Sequence, residues 1–209
     1  MILLNQHSLN KCNRHIKFAT LGPPGTSSEY VTDKLCRCMK VNNSNITLFD
    51  SYEEAFNAVK NGLSDAVVVA NAYSKINNFY MDSDIELLAT FIENTPPYGI
   101  AVRKEFEIDK LKKSHTIKIA SHPAPTKKLD YYRDGIFEGK SFEIELFDST
   151  SLAAKSVQEG THDYCLTNAN AVEMYGLKFI SKQTDISMVW SIFGEIKVLP
   201  NFIITKQGE

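Results

Sequence analysis

The sequence predicts an α/β protein built as two similar lobes, and three observations predict it. Short, continuously apolar runs such as residues 66–70 alternate with stretches of helical period, the pattern of buried parallel strands joined by helices. One capped helix followed by a strand occurs twice, at a constant offset of about 98 residues. The segments between the copies cross from one lobe to the other and return, which makes a hinged pair with an active-site cleft between the lobes.

Residues 1–15 are polar and aperiodic and read as an N-terminal arm. The apolar run 16–21 is the first strand, and it feeds the tight turn Gly22-Pro23-Pro24-Gly25. Thr26, Ser27 and Ser28 follow, and a helix opens near Ser27 and runs to about Met39. A polar turn covers 41–45 and a short strand 46–49. Ser51 and Glu54 form a capping box for a helix that carries Tyr52, Ala55, Phe56 and Val59 on one face, with Gly62 as its left-handed stop. The strand 66–70 follows.

Apolar runs at 85–92 and 98–102, broken by Thr95-Pro96-Pro97, mark the first crossing, and the charged stretch 104–115 opens the second lobe. There Lys118-Ile119-Ala120-Ser121 is a strand, and Asp148-Ser149-Thr150-Ser151 caps a helix carrying Leu152, Ala153 and Val157. Gly160 stops that helix, and 164–167 is its strand. After Gly176 the run 177–180 leads back, and 187–192 and 197–204 add strands to lobe one. Lobe one is thus 16–95 with 181–209, and lobe two is 96–180.

The repeat is specific in its positions. Asp50, Ser51, Ala55, Val59, Gly62 and Asp65 align with Asp148, Ser149, Ala153, Val157, Gly160 and Asp163. Lys17-Phe18-Ala19-Thr20 before Pro23, Gly25 and Thr26 has its counterpart in Lys118-Ile119-Ala120-Ser121 before Pro123, Pro125 and Thr126. Two similar lobes explain this economically; chance likeness of two generic helix–strand units is the alternative.

Composition narrows the function classes. The 209 residues are 43% hydrophobic and 23% charged, as in an ordinary globular protein with an adequate core. A net charge of -2 without a basic stripe argues against nucleic acid and acidic membrane surfaces as partners. No apolar stretch is long enough to span a bilayer, and the N-terminus has no secretory pattern. Cys12, Cys36, Cys38 and Cys165 lack zinc spacing and read as reduced thiols, Cys165 inside a strand. A cytoplasmic protein without a metal site is expected, with a homodimer left open.

Two hydroxyl-rich helix starts, Thr26-Ser27-Ser28 and Ser149-Thr150-Ser151, offer backbone N–H groups and the positive end of a helix dipole to an anion, or simply cap their helices. With Ser121 and Thr126 on the loop after the second lobe's first strand, they suit a small dicarboxylate. A nucleotide fits less well, because there is neither a Walker loop nor G-x-G-x-x-G. Arg103 is a bidentate carboxylate partner or a solvated surface arginine. His122 binds an anion, moves a proton or bonds its own loop. Trp190 and Phe193 wall an apolar ring or belong to the core, and Tyr73 and Tyr80 are similarly open.

Gly22-Pro23-Pro24-Gly25-Thr26-Ser27-Ser28-Glu29, Ser121-His122-Pro123 and Ser149-Thr150 followed by Ala153-Ala154 resemble, in that order, the prephenate dehydratase domain over roughly residues 16–195. The resemblance implies a two-lobed type II periplasmic-binding-protein-like α/β fold, in agreement with the repeat. There are departures. The dehydratases carry Thr-Arg-Phe, whose threonine is taken to assist loss of the ring hydroxyl; the corresponding region here is Val189-Trp190-Ser191-Ile192-Phe193. Their Glu-Asn-Ser is replaced by Asn71-Ala72-Tyr73-Ser74, and no regulatory domain follows. Phe79-Tyr80-Met81, the segment from Thr95 to Arg103, Leu166-Thr167-Asn168, Tyr175-Gly176-Leu177 and Trp190-Ser191-Ile192-Phe193-Gly194 look like a narrower group, the prephenate decarboxylases of bacilysin (anticapsin) biosynthesis.

That resemblance implies a carboxy-lyase. Prephenate loses its ring carboxylate and keeps its hydroxyl, giving a dihydro-4-hydroxyphenylpyruvate on the way to tetrahydrotyrosine-type residues of a secondary metabolite. Substrate contacts are expected from Thr26, Ser27, Ser28, Asn71, Tyr73, Arg103, Ser121, Ser149, Thr150, Thr167, Asn168, Trp190 and Phe193. His122 is the candidate catalytic group, with water or the substrate itself as other proton sources. An apolar wall would help by desolvating the departing carboxylate. No cofactor is expected, because the diene itself receives the electrons. The alternatives are a dehydratase giving phenylpyruvate and a non-catalytic small-anion-binding module.

Overall fold

The computed structural model describes residues 16–39, 45–132 and 134–195. The chain divides into two units, each around one five-stranded mixed sheet. Among the described residues, unit one takes 16–22, Ser28–Asn94 and 187–195; unit two takes Pro23–Ser27 and Thr95–Ile186.

Unit one contains β1 (Phe18–Leu21), α1 (Ser27–Cys38), β2 (Ile46–Phe49), α2 (Tyr52–Lys60), β3 (Ala66–Ala70), the short α3 (Asn77–Tyr80), β4 (Glu86–Asn94) and β10 (Ser187–Gly194). The sheet order is β2-β1-β3-β10-β4, with β1 parallel to both neighbours and β10 antiparallel to both of its own. Parallel neighbours need helical crossovers, which α1 and α2 supply. Strand β3 is apolar throughout because it is covered on both faces. Val68 packs with Val31 and Leu35 of α1 and with Trp190 and Ile192, whereas Val67 and Val69 pack with Phe56, Phe79 and Phe193. Ser51 caps α2 by accepting the N–H of Glu54 at 3.1 Å.

Unit two contains β5 (Tyr98–Arg103), α4 (Ile108–Lys112), β6 (Thr116–Ser121), 3-10 segments at Ala124–Tyr132 and Gly135–Phe137, β7 (Ser141–Leu146), α5 (Thr150–Gln158), β8 (Tyr164–Asn168), α6 (Ala169–Met174) and β9 (Leu177–Phe179). Its order, β7-β6-β8-β5-β9, matches that of unit one strand for strand, down to the antiparallel strand in fourth place. Ser149 repeats Ser51 as an N-cap in the same extended conformation (φ -149 and ψ 157 against φ -142 and ψ 159). The repeat seen in the sequence is therefore a repeat of topology.

The stretch 177–180 lies in unit two, and the chain after it stays beside β5. Strand β9 pairs with β5, and Thr184 then exchanges backbone hydrogen bonds with Tyr98 at 2.8 and 2.9 Å. The N–H of Ile186 reaches Thr95 Oγ1 at 3.1 Å. The returning chain thus satisfies backbone groups of β5 that would otherwise lack a neighbour, and residues 181–186 stay with unit two. The expected strand at 197–204, most of the turn at 41–45, the arm 1–15 and Cys12 lie outside the described residues.

Among the described residues no helix is long and apolar enough to cross a membrane, and no group of three or more His, Cys, Asp or Glu is placed to hold a metal. Cys36 and Cys165 are buried, unpaired thiols, and burial pushes that of Cys36 up to about 12.

Candidate active site

In unit one the hydroxyl-rich start of α1 is tied to the end of β3. Buried Ser28 stands in the first turn of α1 with its Oγ 2.7 Å from Tyr52 Oη, and that oxygen accepts the N–H of Ala70 at 3.2 Å. The next residue, Asn71, belongs to a closed ring of side chains. Its Nδ2 donates to Tyr80 Oη at 3.0 Å, Tyr80 Oη lies 3.0 Å from Ser191 Oγ, and Ser191 Oγ donates to Asn71 Oδ1 at 2.8 Å. The carboxyl ends of parallel strands are where open α/β sheets receive ligands, and β1 and β3 both end here.

Tyr73 follows on the same loop, but its hydroxyl is directed at protein. It donates to Glu53 Oε1 at 2.5 Å, and Lys75 reaches the same oxygen at 3.3 Å. The Tyr73 hydrogen bond, ahead of Lys75, holds the Glu53 carboxyl below the usual carboxylate range. Burial first and Glu53 second hold the Tyr73 phenol well above its usual value. Trp190 and Phe193 are core side chains. Trp190 is 1% exposed, with its Nε1–H on Glu93 O at 3.2 Å, and Phe193 meets Phe56, Phe79 and Tyr80 edge to face. Neither forms an open wall for a ring, because β10 runs through the middle of the sheet and is covered on both faces.

In unit two the loop Pro23–Ser27 is held by three side chains. Ser151 Oγ donates to Pro24 O at 2.6 Å, Asn168 Nδ2 donates to Gly25 O at 3.0 Å, and Ser27 Oγ lies 2.9 Å from Tyr98 Oη. Gly25 sits at φ +86, and a Cβ there would lie 3.1 Å from Ser151 Oγ and 3.3 Å from Met174 Sδ, so both conformation and crowding call for glycine. Thr26 is buried within this loop.

The start of α5 is buried as well. Ser149 Oγ accepts the N–H of Leu152 at 3.0 Å, and Thr167 Oγ1 donates to Thr150 O at 2.7 Å. Asn168 Oδ1 caps α6 by accepting the N–H of Ala171 at 3.1 Å. Ser121, fully buried, donates to His122 O at 2.9 Å, and Thr126 donates to Pro123 O at 2.8 Å. His122 Nδ1 accepts the N–H of Ala124 at 3.2 Å, which leaves the ring hydrogen on Nε2. Burial lowers its pKa from the ordinary 6.5, against the opposing charge of Asp148. The ring is thus a neutral Nε2–H donor above that pH.

Arg103, expected as a carboxylate partner or a surface arginine, bonds within unit two. Its Nη1 donates to Val157 O at 2.9 Å and His162 O at 3.0 Å, and its Nη2 pairs with Asp163 Oδ1 at 2.7 Å. The guanidinium closes the carboxyl end of α5 and the turn after it, where carbonyls and a helix dipole favour a cation.

The structure therefore gathers Ser28 with Asn71 in unit one, and Thr26, Ser27, Asn168, Ser149, Thr150, Thr167, Ser121 and His122 around the helix starts of unit two. It assigns Tyr73, Arg103, Trp190 and Phe193 to scaffold contacts. Sequence reasoning missed Tyr52 and Tyr98. Both read as apolar positions by periodicity, and only their hydroxyls, 24 and 71 residues away from serines in the chain, give them a polar role.

The family model for prephenate dehydratase matches residues 18–187. A prephenate decarboxylase of Bacillus amyloliquefaciens is 38% identical over 185 residues, 86% of this chain and 87% of the relative. Another of that name from Bacillus subtilis strain 168 is 39% identical over 181 residues, 84% and 85% of the two chains. The crystal structure of a prephenate dehydratase from Arthrobacter aurescens in complex with L-Phe has a TM-score of 0.69 at 12% identity, over 86% of this chain and 60% of that one. That likeness speaks for the fold alone.

Proposed function

The chain belongs to the prephenate dehydratase family, and from that premise we propose that it is a carboxy-lyase that decarboxylates prephenate and leaves the ring hydroxyl in place. The observation that carries this reading is the likeness, over most of the chain, to proteins named prephenate decarboxylase. In the reaction the bond from the ring to its carboxylate breaks, carbon dioxide leaves, and the electron pair passes into the ring diene. A proton then adds to a ring carbon, and the product is a dihydro-4-hydroxyphenylpyruvate.

The residues suit that chemistry in kind. Two helix starts are of the sort a carboxylate takes, that of α1 at Ser27 and Ser28 and that of α5 at Ser149 and Thr150. We assign His122 Nε2–H to the substrate as a hydrogen-bond donor. In this scheme His122 acts as a hydrogen-bond donor only, and the proton that reaches the ring carbon comes from solvent. Thr26, Thr167, Asn168 and Ser121 support these groups through the contacts given above. We read the enzyme as cytoplasmic, a view supported by the unpaired thiols of Cys36 and Cys165.

The test is incubation of the purified protein with prephenate at about pH 8, where aromatisation in acid is slow, following carbon dioxide release and identifying products by absorbance and mass. A non-aromatic product that keeps the hydroxyl is expected. Phenylpyruvate as the main product would return the dehydratase reading, and tight binding without turnover would indicate a binding module.

A further inference from the structure

We propose that the ring Asn71–Tyr80–Ser191 determines the reaction's outcome by withholding protons from the substrate's hydroxyl; this rests on the decarboxylase reading above. The hydrogens of the ring can be counted. An amide oxygen only accepts, so Ser191 must spend its hydroxyl hydrogen on Asn71 Oδ1 at 2.8 Å. Asn71 Nδ2 spends one hydrogen on Tyr80 Oη at 3.0 Å. The contact of 3.0 Å between Tyr80 and Ser191 can then be made only with the hydrogen of Tyr80. All three bonds run one way round, and both hydroxyl hydrogens are consumed. Turning the amide over reverses the direction and changes nothing else: each hydroxyl still donates inside the ring.

What remains outward is one amide N–H of Asn71 and the lone pairs of the hydroxyl oxygens. A carboxamide holds a hydroxyl by hydrogen bonding but does not protonate it. Loss of carbon dioxide from prephenate leaves an electron pair with two fates. It expels the ring hydroxyl, which must collect a proton to leave as water, and the ring becomes aromatic. Otherwise it is captured by a proton on carbon, and the hydroxyl stays. A neighbour whose acidic hydrogens are already spent favours the second.

The ring is linked to the start of α1 by a short run of contacts. Asn71 directly follows Ala70, whose N–H reaches Ser28 at the start of α1 through Tyr52. Ser191 is fully buried, whereas Tyr80 is 37% exposed, so the ring is anchored on one side and open on the other.

Product partition from prephenate tests the proposal, comparing the wild type with Asn71→Ala, Ser191→Ala and Tyr80→Phe. Asn71→Ala opens the ring and frees a hydroxyl hydrogen, so phenylpyruvate should rise at least about tenfold relative to the non-aromatic product. In Ser191→Ala the amide turns over and its oxygen accepts the hydrogen of Tyr80, so the ratio should stay near that of the wild type. Tyr80→Phe removes its hydrogen altogether and leaves that of Ser191 on Asn71, so its product ratio should stay that of the wild type. If Asn71→Ala, folded by circular dichroism, keeps the wild-type ratio, or if all three variants change it alike, the ring proposal is overturned. Wild-type protein that gives mainly phenylpyruvate, or that releases no carbon dioxide, overturns the decarboxylase reading itself, and the ring proposal with it.

Discussion

The carboxamide of Asn168 bonds in two directions: its nitrogen donates to Gly25 O at 3.0 Å, and its oxygen accepts the N–H of Ala171 at 3.1 Å. One buried side chain thus caps α6 and holds a loop 143 residues away in the chain. Asn168→Asp keeps the cap but sets an acceptor against an acceptor at Gly25. The expected loss is about 2–3 kcal/mol, by analogy with other buried polar groups left without a partner. Thermal or denaturant unfolding measures it, and Asn168→Asp should also raise KM for prephenate by loosening the loop that carries Ser27.

Tyr52→Phe removes the oxygen shared by Ser28 and Ala70. A loss of about 1–2 kcal/mol is expected from the two hydrogen bonds. KM should rise several-fold with little change in kcat if Ser28 serves ground-state binding, which steady-state kinetics separates. Equal losses in kcat and kcat/KM would place Ser28 at the transition state instead.

Arg103 separates scaffold from site. Arg103→Gln leaves carbonyls of Val157 and His162 without their donor, and a destabilisation of about 1–3 kcal/mol is expected. KM for prephenate should stay within about twofold of wild type. A KM increase beyond about tenfold in a folded variant would restore Arg103 as a carboxylate ligand.

His122 ties stability to pH. Its pKa is lowered in the folded state, so between the unfolded value near 6.5 and the lower folded value the unfolded chain binds more protons. Stability from this group is complete above about pH 6.5 and declines as the pH falls through the folded pKa. Denaturant unfolding from pH 7.5 down to 5 should show the decline, and His122→Gln should flatten that part of the curve. An NMR titration of the ring that reports a pKa above 6.5 would refute it.

Much of this architecture was readable because its signals are local. Ser51 and Ser149 announce their helices by spacing alone, and the offset between them exposes the duplicated topology. The placement of Trp190 was not readable in the same way. Strand β10 comes last among the described strands yet inserts between β3 and β4, and no periodicity within it reveals that both of its faces will be covered. The contacts of Arg103 were not readable because its acceptors are backbone carbonyls 54 and 59 residues away, which leave no mark on sequence pattern. The Asn71–Tyr80–Ser191 ring closes over 9, 111 and 120 residues, and each member alone is unremarkable.

The loop Pro23–Ser27 is counted with unit two although the strand before it and most of the helix after it are counted with unit one. Dissection of the gene at the boundaries of the larger segments would therefore yield no self-sufficient half. A polypeptide of residues 95–186 would leave Ser151 and Asn168 facing solvent where the carbonyls of Pro24 and Gly25 belong. A chimera that exchanges this unit with that of a relative must carry those loop residues as a separate graft, and a crossover placed inside them would pair the donors of one parent with the turn of another.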